Sequence, residues 1–189
     1  MKNYYKNLKL LTKNHVYSEE MEHDACGVGV IVSTEGKKSR EIVEHGIEAL
    51  KAVWHRGAVD ADGKTGDGAG IHVEIPKDFF IEKIEVTGHD YDNAEICVGM
   101  IFLPRNDYSA QESCKTIVES ELTKNNFSIY GWRQVPVNPK ILGQKALQTM
   151  PEIIQVLFKS NDQNLLDKDL ERKIYETRKK IEKKAFQLS

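Results

Sequence analysis

A chain of 189 residues is long enough for one domain with a true core or for two very small ones. Its 40% apolar and 30% charged residues make a globular composition, and a net charge of −2 excludes binding driven by attraction to nucleic acid or an anionic membrane. The longest apolar runs, GVGVIV and IIQVLF, are far too short to span a bilayer, and the opening MKNYYKNLKLLTKNHVYSEE lacks the apolar core and cleavage pattern of a secretory signal.

The expected compartment is therefore the cytoplasm. Three widely spaced cysteines, Cys26, Cys97 and Cys114, argue against a disulfide framework and against a zinc site.

Residues 1–25 are polar, lack periodicity and read as a leader. Residues 27–33 alternate small and β-branched side chains and predict a strand, followed by a turn over TEGKK. Ser39 is placed to cap a helix running to about Trp54, with Ile42, Val43, Ile47, Leu50, Val53 and Trp54 at helical spacing. The stretch HRGAVDADGKTGDGAG, residues 55–70, is rich in Gly and Asp and reads as loop. Residues 71–75 alternate and predict a strand, and Pro76 opens a short helix to about Ile84. EICVGMIFL, residues 95–103, predicts a buried strand that Pro104 ends.

Ser109 and Glu112 have capping-box spacing ahead of a helix whose apolar face holds Ile117, Val118 and Leu122. A strand over 127–135, a short helix over 142–149 and a strand over 153–159 follow. A long charged helix marked by Leu165, Leu170, Ile174 and Ile181 comes last. Strands alternating with helices make the class α/β or α+β. The final helix ends in KKIEKKAFQLS with no closing strand, so the chain is expected to stop before its fold does.

Cys26 is the residue whose chemistry stands out. A thiol becomes a nucleophile with a base or a depressed pKa. His23, His45, His55, His72 and His89 are available, and none has a spacing that marks a Cys–His pair. Removal of residues 1–25 would instead make Cys26 the N-terminus. Its own α-amine, with a pKa of about 7.7–8.0, could then serve as the base. The bland alternative is a small buried residue beside a strand.

The segments MEHDACGVGVIV, ALKAVWHRGAVDADGKTGDGAGI, YGWRQVPVNPKILGQKA and LERKIYETRKKIE occur in register from about Glu22 onward. Together they resemble the class II glutamine amidotransferases of the N-terminal-nucleophile type, as found in glutamate synthase large subunits. The resemblance implies a four-layer αββα sandwich, apparently truncated here, made of a leader over 1–25 and an amidotransferase portion over 26–189. It implies that Cys26 is the nucleophile and Arg56 a second active-site residue, with Asp67, Gly68, Trp132 and Arg133 on the substrate side. Their structural alternatives are a helix-capping Arg56, a core Trp132 and a surface Arg133. The substrate implied is L-glutamine, hydrolysed through a thioester to glutamate and ammonia.

No cofactor is implied in this segment. FMN and an iron–sulfur cluster belong to the full-length enzyme, whose partners would be the rest of the large subunit and an electron-donating subunit or ferredoxin. The family's oxyanion hole lies in an NGEI-type segment downstream of the match to Glu182, which this sequence does not contain. Each oxyanion donor is commonly worth about 10²–10³ in rate. A chain of weak or no activity is therefore the expectation, with an inactive fragment that pairs with a complementary chain as the rival reading. A Cys–His hydrolase of another family stands third.

Overall fold

The computed structural model describes residues 6, 13, 27–53, 57, 59–162 and 164–188. The chain divides into two units, Met1–Lys51 and Ala52–Ser189.

In the first unit, residues 27–33 run outside any sheet, and Val28, Val30 and Val32 are 92%, 82% and 71% exposed. The strand predicted there does not form. Period-2 alternation specifies which faces the side chains take, but a strand also needs a neighbour for its N–H and C=O groups. The described residues of this unit offer none. A turn closes from Gly36 N–H to Ser33 O at 3.1 Å. Helix α1, Arg40–Ala52, follows as predicted. Ser39 Oγ accepts from Ile42 N–H at 3.4 Å, satisfying one of the donors that a helix start leaves open.

The second unit holds α2 (Lys77–Val86), β1 (Cys97–Leu103), α3 (Tyr108–Lys124), β2 (Phe127–Gln134), α4 (Gln144–Thr149), β3 (Glu152–Ser160) and α5 (Asp167–Phe186). Its sheet is antiparallel, with β3 between β1 and β2. A central strand covered on both faces needs a near-continuous apolar run, and IIQVLF in β3 supplies it. Val156 and Phe158 face one core with Cys97, Val118, Leu122 and Phe127, which α3 and α5 close through Leu170, Ile174 and Ile181. Leu157 faces the other core with Phe80, Ile84, Ile96 and Tyr130, which α2 closes. The described part of this unit is thus helix pair, sheet, helix.

Helix α2 covers only part of its face, and Met100 and Phe102 of β1 stay 48% and 63% exposed. Residues 71–75 form no strand: Ile71 and Val73 are half exposed, and only Ile75 packs against the α2 core. As with 27–33, the alternation is present and a ladder partner is missing among the described residues.

Helix α3 begins earlier than its capping-box spacing indicated. Asp107, not Ser109, is the cap, its carboxylate accepting from Ala110 N–H at 2.9 Å. An ionised acceptor suits the positive helix start better than a hydroxyl. The helix ends at Asn125 and Asn126, and Asn126 takes the left-handed φ of +62° that asparagine tolerates. Glu121 of α3 is buried. Lys184 of α5 reaches it at 2.5 Å and holds its carboxyl below the usual range, with Lys124 adding to the effect from 3.6 Å. This pair ties together two helices that are distant in sequence.

Candidate active site

Cys26 and Arg56 lie outside the described residues. The other four predicted residues sit in two places. Asp67 and Gly68 are exposed in the loop that leaves a bridge between Val59 and Gly66. A Cβ added at Gly68 would meet nothing within 4 Å.

Trp132 and Arg133 lie on β2, where successive side chains point to opposite faces. The Trp132 indole packs on the α3/α5 core and donates from Nε1 to Glu119 Oε1 at 2.7 Å. Arg133 takes the other face. Its Nη1 donates to Gln155 Oε1 at 2.6 Å, and its guanidinium stands 5.1 Å from the centre of the Phe79 ring. The two side chains therefore diverge.

A bulge in front of them sets this arrangement. The register with β3 shifts between Ile129 and Gly131, so Tyr130 and Gly131 together oppose Leu157. Gly131 has φ +151°, a conformation open essentially to glycine alone. Thr87 packs directly over it, and Thr87 Oγ1 donates to Tyr130 O at 2.8 Å. Tyr130 itself is buried and donates from its hydroxyl to Asp92 Oδ1 at 2.5 Å. Lys159 of β3 pairs with the other Asp92 oxygen and stands 5.3 Å over the Tyr130 ring.

Burial, then the Asp92 bond, pushes the Tyr130 hydroxyl well above the ordinary tyrosine range. The Lys159 ammonium first, then the Tyr130 hydroxyl, lowers Asp92 to about 2. A carboxyl depressed in the folded state adds stability that is present above its unfolded pKa and lost as pH falls through the folded value. Here that window runs from the ordinary 3.8 down to about 2. Lys159→Met is expected to shrink this acid loss and move it up towards the ordinary carboxylate range. Urea midpoints of both chains between pH 5 and pH 2 check it; identical pH profiles would sink the assignment.

The structure also brings together residues that no sequence motif marks. The hairpin around VDADGKTG closes with Asp60 N–H donating to Thr65 O at 2.7 Å, and Gly63 takes φ +69° at its tip. Asp62 Oδ1 accepts from Thr65 N–H at 2.7 Å and Lys64 N–H at 3.0 Å. Its Oδ2 accepts from Thr65 Oγ1 at 2.6 Å and from Lys145 N–H, at the start of α4, at 3.4 Å. Lys145 Nζ lies 2.7 Å from each Asp60 oxygen. The signal was present in DADG, a turn sequence, and in a glycine directly before a short helix. Nothing in the sequence says that they meet.

No three His, Cys, Asp or Glu side chains among the described residues are grouped to hold a metal. Burial pushes the Cys97 thiol up to about 12, and Cys97 and Cys114 are two free thiols where an iron–sulfur cluster takes four ligands.

Residues 26–189 match the family model of class II glutamine amidotransferases. The chain belongs to that family. It is 52% identical over 177 residues to the glutamate synthase [NADPH] large chain of Azospirillum brasilense, covering 94% of this chain and 12% of that one. It is 40% identical over 163 residues to the ferredoxin-dependent glutamate synthase 1 of Arabidopsis thaliana, covering 86% and 10%. With the ferredoxin-dependent glutamate synthase of Pyropia yezoensis it shares 39% over 176 residues, covering 93% and 11%. The amidotransferase chain thus spans about an eighth or less of the length of these relatives. The likeness to the A. brasilense protein is longer than residues 26–189, so it reaches upstream of Cys26.

Proposed function

We propose that this chain is the glutaminase portion of a glutamate synthase, with Cys26 as its nucleophile after residues 1–25 are removed. The observation that carries the reading is that the family match starts on Cys26 itself. An N-terminal cysteine holds its own base. Its α-amine takes the thiol proton, and the thiolate attacks the glutamine side-chain carbonyl. The C–N bond breaks as the proton passes to the departing ammonia, and water then hydrolyses the C–S bond of the thioester to give glutamate. Arg56, with its planar fork of donors, would suit the substrate carboxylate or a backbone carbonyl near the nucleophile.

Ammonia would pass to 2-oxoglutarate in the remainder of the enzyme, where FMN and an iron–sulfur cluster serve. Electrons would come from an NADPH-linked subunit or ferredoxin, the donors in the relatives' names. A cytoplasmic site fits this reading, and no described helix is long and apolar enough to cross a membrane. The four-layer αββα sandwich is the finer fold proposed. Its support is the sheet face left open at Met100 and Phe102 together with the strand-like alternation of residues 71–75.

Intact mass and N-terminal sequencing, before and after exposure to 6-diazo-5-oxo-L-norleucine, test the function. A chain beginning at Cys26 that gains one adduct there supports it. A chain that keeps its leader and stays unlabelled sinks it and favours the inactive pairing fragment.

A further inference from the structure

A short exposed hairpin has little to hold it in place, because two strands alone are marginal in water. The hairpin over 59–66 has only half-exposed or exposed side chains, so its position depends on polar contacts. Those contacts converge on one place. Asp62 Oδ2 and Thr65 Oγ1 lie 2.4 Å and 2.2 Å from where a Cβ on Gly143 would stand. Glycine alone admits so close an approach, and the hairpin uses it. Thr65 Oγ1 also accepts from Ala146 N–H at 3.4 Å, beside the Asp62 contact to Lys145 N–H.

The receiving segment is itself anchored to the sheet. Val135 N–H donates to Ile153 O at 3.1 Å, so the connection carrying residues 143–146 leaves and rejoins neighbouring strands. The hairpin's two legs have proposed site residues as neighbours in sequence. Arg56 precedes Val59 by three positions, and Asp67 and Gly68 follow Gly66 directly.

We infer that Asp62 is a positioning residue: through Thr65 and the Lys145 N–H it clamps the hairpin onto residues 143–146, and so sets where the segment carrying Asp67 and Gly68 stands. The inference rests on the glutaminase reading. Asp62 is not a catalytic residue, since its two oxygens are committed to the hairpin and to α4. The Thr65 hydroxyl, then the Thr65 and Lys64 N–H groups, hold its carboxyl far below the usual range, so the clamp is fully charged at neutral pH. The Lys145–Asp60 ion pair lies at the surface and adds less.

The test compares the full expressed chain with its Asp62→Ala, Asp62→Asn and Lys145→Met variants. Two reagents are used at Cys26: the glutamine analogue above, which needs a positioned pocket, and iodoacetamide, which needs only the thiol. Asp62→Ala is expected to slow labelling by the analogue about ten- to a hundredfold, the scale set by a misplacement of about 1 Å. Iodoacetamide labelling should stay within about twofold. Asp62→Asn should recover part of the rate, because its amide oxygen still accepts from Thr65 N–H and Lys64 N–H. Lys145→Met should fall between Asp62→Ala and the parent chain.

Hydrogen exchange should rise over residues 59–66 and 143–146 in Asp62→Ala and stay unchanged over β3. Analogue labelling at the parent rate in Asp62→Ala, with exchange raised, overturns the positioning role alone. An equal loss with both reagents also overturns it, since Asp62 would then act on the thiol or the fold at large. A parent chain labelled by iodoacetamide and never by the analogue overturns the glutaminase reading and the role built on it.

Discussion

Cys26→Ala takes up no 6-diazo-5-oxo-L-norleucine, where the parent chain gains one adduct. The expectation follows from where the chain's other thiols stand. Cys97 is buried under α3 and α5 with its thiol pushed up to about 12, so it carries almost no thiolate near neutrality. Cys114 is half-buried on α3 and has no part in the proposed pocket. Peptide mapping separates adducts at the three positions. Any glutaminase rate should fall by at least about a thousandfold, as it does when other hydrolases lose their nucleophile. Cys26→Ser should be nearly as poor, because a hydroxyl gives up its proton far less readily than a thiol. An adduct that persists in Cys26→Ala would move the nucleophile elsewhere and end the amidotransferase mechanism proposed for this residue.

Gly131→Ala should be strongly damaging, since strain and a collision act there together. Its φ of +151° lies where a side chain brings about 1–3 kcal/mol of strain. The added carbon would also sit 2.7 Å from Thr87 Cγ2 and 2.8 Å from Thr87 Cβ, a collision against the end of α2. Overpacking of this kind costs about 1–3 kcal/mol. The two effects share one relaxation, so the sum should fall at about 2–4 kcal/mol rather than at their full total. Urea unfolding measures it. Gly70→Ala is the control: nothing lies within 4 Å of its added carbon, and the change should stay within about 0.5 kcal/mol. Placing Gly131→Ala in a Thr87→Ser background removes the nearest methyl and should return part of the loss. Equal midpoints for Gly131→Ala and the parent chain would refute the bulge at this position.

Helices were read from the sequence with more success than strands, for a physical reason. A helix satisfies its own backbone, so apolar spacing and a cap are enough: α1 starts behind Ser39, and α5 carries Leu170, Ile174 and Ile181, with Leu165 just ahead of its start. A strand is half of a pair. Residues 97–103, 127–134 and 152–160 found one another, whereas 27–33 and 71–75 carry the same alternation without a ladder among the described residues. At the start of α3, Ser109 and Glu112 have capping-box spacing, but Asp107 has the stronger acceptor and is the cap.

At the site, chain motifs identified the segments but not their geometry. Trp132 and Arg133 read as a pair in sequence and take opposite faces in space. The clamp of Asp62 on residues 143–146 joins positions about eighty apart, and no local pattern announces a contact of that range.

The strand order carries a consequence for how the chain comes off the ribosome. β3 lies between β1 and β2, yet it is made after both. Until residues 152–160 emerge, β1 and β2 are two edges with nothing between them, and neither can ladder with the other in the native register. Local helices can form early; the sheet cannot. Both strand pairs of the described sheet must then wait for one late segment and close a loop across it, from Cys97 to Phe158 and from Phe127 to Ser160. Contacts of such range form slowly, and apolar edges that wait are the ones chaperones hold.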